Sequence, residues 1–246
     1  MIFIIFIYGL LFGSFFNVAG LRVPMNQSVI KPGSSCPKCH KSLSPIELIP
    51  VISFVVCKGK CRHCSEPISY LYPLIELLTG ILFVMAYLHF DWTFDFLIAC
   101  TLISLFMIIT VTDICYMLIP DKILIVFTLI FLIVRFIDPL QPWWDSITGA
   151  AAGFGLLLLI AMVSRGAMGG GDIKLFAVLG LVLGTKLVLL SFFLAVLFGA
   201  LAGGIGLMTG MVRKREPIPF GPFIGIGTLA AYFYHHEILA WYLSFF

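Results

Sequence analysis

Apolar residues run along this chain in long unbroken stretches, and the polar residues gather between them. The hydrocarbon layer of a bilayer, about 30 Å thick, is crossed by roughly 20 apolar residues in a helix. Cutting the chain at its polar and turn-forming residues leaves eight runs, at 1–21, 71–89, 95–112, 121–137, 146–164, 173–185, 187–211 and 221–243. The sixth is short. From Asp172 to Gly184 a straight helix covers about 18 Å, so one of its ends is expected within the membrane, where other helices or water must satisfy its backbone. The pattern predicts an all-α polytopic membrane protein of about eight transmembrane helices. A first helix at 1–21 leads into a polar loop at 22–70, and a seven-helix membrane domain fills 71–246.

Composition narrows this further. Of 246 residues, 61% are hydrophobic and 11% charged, with a mean hydropathy of +1.12, more apolar surface than a soluble sphere can hide. Disorder and a disulfide-rich secreted scaffold are excluded by the apolar content, and a formal net charge of +3 argues against a nucleic-acid partner. The lipid bilayer is the first partner implied. The opening run lacks the basic start and small-residue cleavage site of a signal peptide and is expected to stay as a helix. Glycines four apart recur at Gly9/Gly13, Gly149/Gly153, Gly180/Gly184, Gly199/Gly203, Gly206/Gly210 and Gly221/Gly225, a spacing that lets helices approach closely.

Orientation follows from Lys and Arg, which stay in excess on the cytoplasmic side. Seven lie in 22–70 (Arg22, Lys31, Lys38, Lys41, Lys58, Lys60, Arg62), followed by Lys122, Arg165, Lys174, Arg213, Lys214 and Arg215, all on one side. The opposite connections hold Arg135 and Lys186 with His89, Asp91, Asp95, Asp138 and Asp145. Both termini are therefore expected outside, and the 22–70 loop in the cytoplasm.

That loop carries Cys36-Pro-Lys-Cys39 and, twenty-one residues on, Cys61-Arg-His-Cys64. Each CxxC knuckle turns two thiolates toward one point, and two knuckles close a tetrahedral structural zinc site with no open position. Such a site folds a segment too poor in apolar residues for its own core. Two disulfides are the alternative, disfavoured in a reducing compartment. Cys57, His40 and His63 are expected to be bystanders.

Acids at the edges of apolar runs carry the remaining chemistry, because a carboxylate in a membrane segment costs several kcal/mol unless paired or wet. Asp113 closes the third run, Asp172 opens the sixth after Gly169-Gly170-Gly171, and Glu76 lies inside the second. Asp113 and Asp172 are expected on the cytoplasmic face. Two carboxylates sharing a pocket cannot both ionise, so one serves as general acid while the other activates water. The glycines permit unwound backbone and the approach of an extended substrate. Lys174 is expected to snorkel to the surface, Glu76 to serve as a local acid for a basic substrate, and Asp121 to cap a helix start after Pro120.

These residues resemble a known family. Gly13-Ser14-Phe15-Phe16-Asn17-Val18 with Arg22-Val23-Pro24, the two CxxC pairs, Leu48-Ile49-Pro50 through Ser53, Tyr72-Pro73 with Glu76, Asp113 with Ile119-Pro120-Asp121, Met168 through Leu175, and Pro219-Phe220-Gly221-Pro222-Phe223 are similar to the bacterial type IV prepilin peptidases, eight-helix aspartic proteases of the inner membrane. Cys57 lies outside the family's four-cysteine pattern. The resemblance implies Asp113 and Asp172 as the catalytic pair, and removal of the short basic leader of prepilins or pseudopilins at the cytoplasmic face. It also implies N-methylation of the new N-terminus with S-adenosylmethionine, although no nucleotide fingerprint marks a site for that methyl donor. A presenilin-type protease lacks the zinc-type loop, a transporter would favour an inverted repeat that this sequence does not carry, and a non-catalytic scaffold would tolerate Asn at 113.

Overall fold

A computed structural model describes residues 1–164, 168–210 and 218–244. Arg165, Arg213, Lys214 and Arg215, four of the basic residues used for orientation, lie outside the described residues. The fold is nearly all helical: α1 Ile2–Arg22, α2 Ile52–Val56, α3 Leu71–Phe90, α4 Phe94–Tyr116, α5 Asp121–Ile137, α6 Asp145–Val163, α7 Gly170–Met208 and α8 Gly221–Leu243, with a 3-10 turn at Pro45–Leu48. Five of these (α1, α3, α4, α6 and α7) are long and apolar enough to cross a membrane. The chain divides into two units, Met1–Cys115 and Tyr116–Phe246.

In the first unit α1 and α3 run antiparallel in close contact. Glycines make this possible: a Cβ on Gly9 would stand 2.6 Å from the Cα of Gly80, and one on Gly13 would stand 2.7 Å from the Cα of Glu76. One turn further along, the carboxamide of Asn17 donates from Nδ2 to the Tyr72 carbonyl at 3.1 Å. Gly20 does the same service toward α4, where its Cβ would meet Val111 at 2.6 Å. Helix α4 buries Ile98, Leu102, Ile103, Leu105 and Ile109 completely, the all-round burial of a central helix. At the end of α1, Arg22 ties down the start of the polar loop by donating to the carbonyls of Ser28, Pro32 and Gly33.

The second unit is organised by α7. The gap expected between the sixth and seventh runs appears as a break inside one helix, at Gly184, with φ 78° and ψ 177°. Only glycine adopts this backbone without strain. A broken helix leaves carbonyls and amides without partners, and here charged side chains supply them. Arg135 of α5 donates to the Val182 carbonyl from Nε at 2.8 Å and Nη2 at 2.5 Å. Asp145 at the start of α6 accepts the Thr185 N–H at 3.2 Å. These two residues, read from sequence only as charges on the outer side, hold the break together. The part of α7 before it, Gly170 to Leu183, rises about 21 Å, still shorter than a full span. Gly149 and Gly180 bring α6 and α7 into backbone contact, and Gly227 brings α8 against Ala195 of α7.

Candidate functional site

The polar loop builds two matching turns. In the first, the Cys36 N–H bonds the Lys41 carbonyl at 3.1 Å and the His40 N–H bonds the Cys36 carbonyl at 2.9 Å; in the second, Cys61 bonds Glu66 at 2.8 Å and Ser65 bonds Cys61 at 2.9 Å. His40 (φ 56°) and Ser65 (φ 58°) occupy the same left-handed position after the second cysteine of each turn. His40 thus closes a turn by its backbone. The turns are joined by the ion pair of Lys38 with Glu66, which raises the lysine above its ordinary pKa.

Four sulfurs, of Cys36, Cys39, Cys61 and Cys64, lie within 4.8 Å of one another. Cys36 and Cys64 are 3.7 Å apart, too far for a disulfide and close to the edge of about 3.8 Å that a tetrahedron with 2.3 Å metal–sulfur bonds requires. The amides of Cys39 and Lys38 stabilise the Cys36 thiolate, lowering its pKa to about 6. For Cys64 the Glu66 amide acts the same way, but desolvation and the three other thiols outweigh it and push the thiol up to about 12. Four converging sulfurs, with Cys36 readily ionised and Cys64 holding its proton until a positive charge compensates it, form a donor set that a dication completes. Cys57, His40 and His63 stand outside this group.

Asp113 lies three residues before the end of α4 and is 8% exposed, next to the fully buried Thr112. Asp172 is the third residue of α7, partly buried, and its N–H bonds the Gly169 carbonyl at 3.1 Å. The three glycines differ. A Cβ on Gly169 would come 3.0 Å from Oδ2 of Asp172, one on Gly171 would stand 2.9 Å from Cβ of Ile119, and Gly170 faces open space. Gly171 therefore lets the start of α7 lie against the 119–121 segment. Lys174 anchors the same contact, placing its ammonium 2.8 Å from both carboxylate oxygens of Asp121. Asp121 is the first residue of α5, with Pro120 at the cap position and no side-chain cap bond, so its carboxylate binds Lys174 in place of the expected capping role. Lys174 in turn is engaged by an acid while remaining exposed.

Glu76 also differs from a surface acid. It is 8% exposed, and its Oε2 accepts the Val51 N–H at 2.7 Å. Asn17, near Arg22, reads in sequence as the polar end of the first helix; its role in joining α3 depends on Tyr72, 55 residues away.

Comparison with known proteins places this architecture. The profile described as Bacterial Peptidase A24 N-terminal domain matches residues 7–90, and that described as Type IV leader peptidase family matches residues 100–204. A prepilin leader peptidase/N-methyltransferase of Bacillus subtilis (strain 168) is 47% identical over 244 residues, covering 99% of this chain and 98% of its own. The chain belongs to the type IV leader peptidase family. Family members carrying the same description include one from Aeromonas salmonicida (strain A449), 31% identical over 98% of this chain and 93% of its own. Another, from Neisseria gonorrhoeae, is 30% identical over 89% of this chain and 86% of its own. No solved structure matches the chain. Family membership covers both the cysteine loop and the segments bearing Asp113 and Asp172.

Proposed function

We propose that this protein is a membrane aspartic endopeptidase that removes the short basic leader of type IV prepilins or pseudopilins at the cytoplasmic membrane face, and that N-methylation of the new N-terminus follows. The observation that carries the reading is a carboxylate, Asp113, buried at the end of an apolar helix in a chain of the leader peptidase family.

Asp113 and Asp172 act as the acid and base of one hydrolysis. The ionised member takes a proton from water as the oxygen attacks the scissile carbonyl carbon, and the protonated member gives its proton to the carbonyl oxygen. Collapse of the tetrahedral intermediate breaks the C–N bond as the leaving nitrogen is protonated. Gly169–Gly171 admit the extended substrate backbone to Asp172, with Lys174 and Asp121 fixing the start of α7. The excess of basic residues in the connections supports a cytoplasmic loop and active site with both termini outside.

Cys36, Cys39, Cys61 and Cys64 would hold a structural zinc, as their mutual spacing supports; these four thiolates would fill its coordination, so its contribution would be to fix the loop. For S-adenosylmethionine the two clefts described, one among Ile2, Phe3, Phe6, Ile81, Val84 and Met85 and the other among Trp92, Thr93, Phe94, Phe96 and Leu97, do not fit. The donor's carboxylate and ammonium need charged partners, and neither wall carries a charged residue; the second offers only the Thr93 hydroxyl and the Trp92 indole.

Incubating the solubilised full chain with a candidate prepilin and S-adenosylmethionine, then weighing the products, tests the reading. A product shortened by its leader and heavier by one methyl group supports both activities, a shortened unmethylated product limits the protein to cleavage, and an unshortened precursor contradicts the proposal.

A further inference from the structure

Three observations meet where α1 and α3 approach the polar loop. The first is Glu76, an acid within an apolar helix, buried, and with no Lys, Arg or His ion pair among the described residues. An acid in a membrane segment marks a functional site by default, because its charge needs compensation. The second is Val51, a β-branched residue held at φ 60° and ψ −48°. The Ile52 N–H reaches the Pro50 carbonyl at 2.5 Å around it, a γ-turn of the strained hand. The amide of Val51 is the one that bonds Glu76. The third is Asn17, 1% exposed. Its Nδ2 is used by Tyr72, while its buried Oδ1 has no hydrogen-bond partner among the described residues.

The helix register puts these groups together. Gly13 faces Glu76, and Asn17, one turn along α1, faces Tyr72, one turn back along α3. Side chains on a helix lean toward its N-terminus, so the Glu76 carboxyl is carried back toward Tyr72, the level at which the Asn17 carboxamide sits. A carboxylate accepts about four hydrogen bonds. The Val51 amide supplies one, leaving capacity beside an orphaned carbonyl oxygen. A buried carboxyl group with spare acceptor positions and no cation paired to it among the described residues calls for a cation rich in N–H donors, which would hold it ionised. A hard metal ion would need six or more oxygens, and these side chains offer too few.

We propose that Glu76 and Asn17 form a seat for a primary ammonium group of the substrate, covered by the strained Pro50–Ile52 turn. The inference rests on the leader peptidase reading, which supplies two sources of that chemistry: the α-amine freed at the new N-terminus and a lysine side chain of the leader. The α-amine is the methyl acceptor, and the seat lies at the loop end of the helices, where a membrane-anchored product would present it.

The test measures binding to the full chain in lipid nanodiscs. One pair of probes is a synthetic mature N-terminal peptide with a free or an acetylated α-amine; the other is a leader peptide with lysine or acetyl-lysine. The parent protein should bind the free amine of one pair at least about tenfold more tightly than its acetylated form, the loss expected for a charge-assisted bond. The pair showing the gap identifies the source. Glu76→Gln keeps an acceptor for Val51 and should bind both members alike, while Asn17→Leu should narrow the gap. Equal binding within both pairs by the parent, or a gap retained in Glu76→Gln, overturns the seat. Precursor cleavage by the same parent preparation separates the two ideas: cleavage without amine discrimination refutes the seat alone, and absence of cleavage refutes the peptidase reading.

Discussion

Lys174 and Asp121, fifty-three residues apart, form a two-pronged ion pair at 2.8 Å that fastens the start of α7 to the start of α5. Both side chains are more than half exposed, so the pair should orient more than it stabilises. A double-mutant cycle with Asp121→Asn and Lys174→Met, read by thermal unfolding, should give a coupling of about 0.2–1 kcal/mol that shrinks as salt is added. A coupling that is zero at low salt would remove the pair's role in fixing α7.

The break in α7 makes a stronger demand. At φ 78° Gly184 has no room for a side chain, because an added Cβ would collide with the Asp145 carboxylate. Gly184→Ala should cost about 1–3 kcal/mol of stability. Arg135→Leu should cost a similar amount by leaving the Val182 carbonyl unbonded, and Arg135→Lys should recover part of it. Melting temperatures of the three purified variants decide this; an unchanged Gly184→Ala protein would contradict the observed backbone.

For the cysteine loop, elemental analysis should find one zinc per chain. That zinc should be lost in Cys36→Ser, Cys39→Ser, Cys61→Ser or Cys64→Ser and kept in Cys57→Ser. Chelation should loosen the loop, measured by protease nicking within 22–70, before leader cleavage falls. Intact thiols without metal would sink the site.

The Ser44 amide and hydroxyl bond the Glu47 carboxylate at 2.8 and 2.7 Å, and the amide bond is the chief cause holding its pKa below the ordinary 4.5. A lowered folded-state pKa means this bond contributes stability above the ordinary value and loses it as pH falls through the lowered one. Resistance to nicking should therefore be greater in the parent than in Glu47→Gln at neutral pH, and the difference should close in acid below pH 4.5. A difference independent of pH would show that the charge is not what matters. Taking the difference between proteins cancels any acid release of metal common to both.

Much of this was legible along the chain, for physical reasons. Apolar run length sets the helices, so α1, α3, α5, α6 and α8 begin and end within a few residues of expectation. The CxxC spacing is local geometry and carries directly to four converging sulfurs. What could not be read depends on contacts distant in sequence. Arg135 and Asp145 resemble ordinary outer-loop charges until the Gly184 break supplies a bare carbonyl and amide for them. Asp121 has the spacing of a cap, and its partner Lys174 is known only once α5 and α7 meet. Gly227, which brings α8 against Ala195, has no glycine four residues away to mark it in sequence.

The central claim is that Asp113 and Asp172 perform one hydrolysis, and its most direct test weighs a synthetic precursor after incubation with the parent, Asp113→Asn and Asp172→Asn proteins, each first shown to be folded by its melting profile. The account predicts leader removal by the parent and none above background by either variant, since neutralising one member deprives the other of its complementary role. Cleavage at near the parent rate by either variant would contradict it.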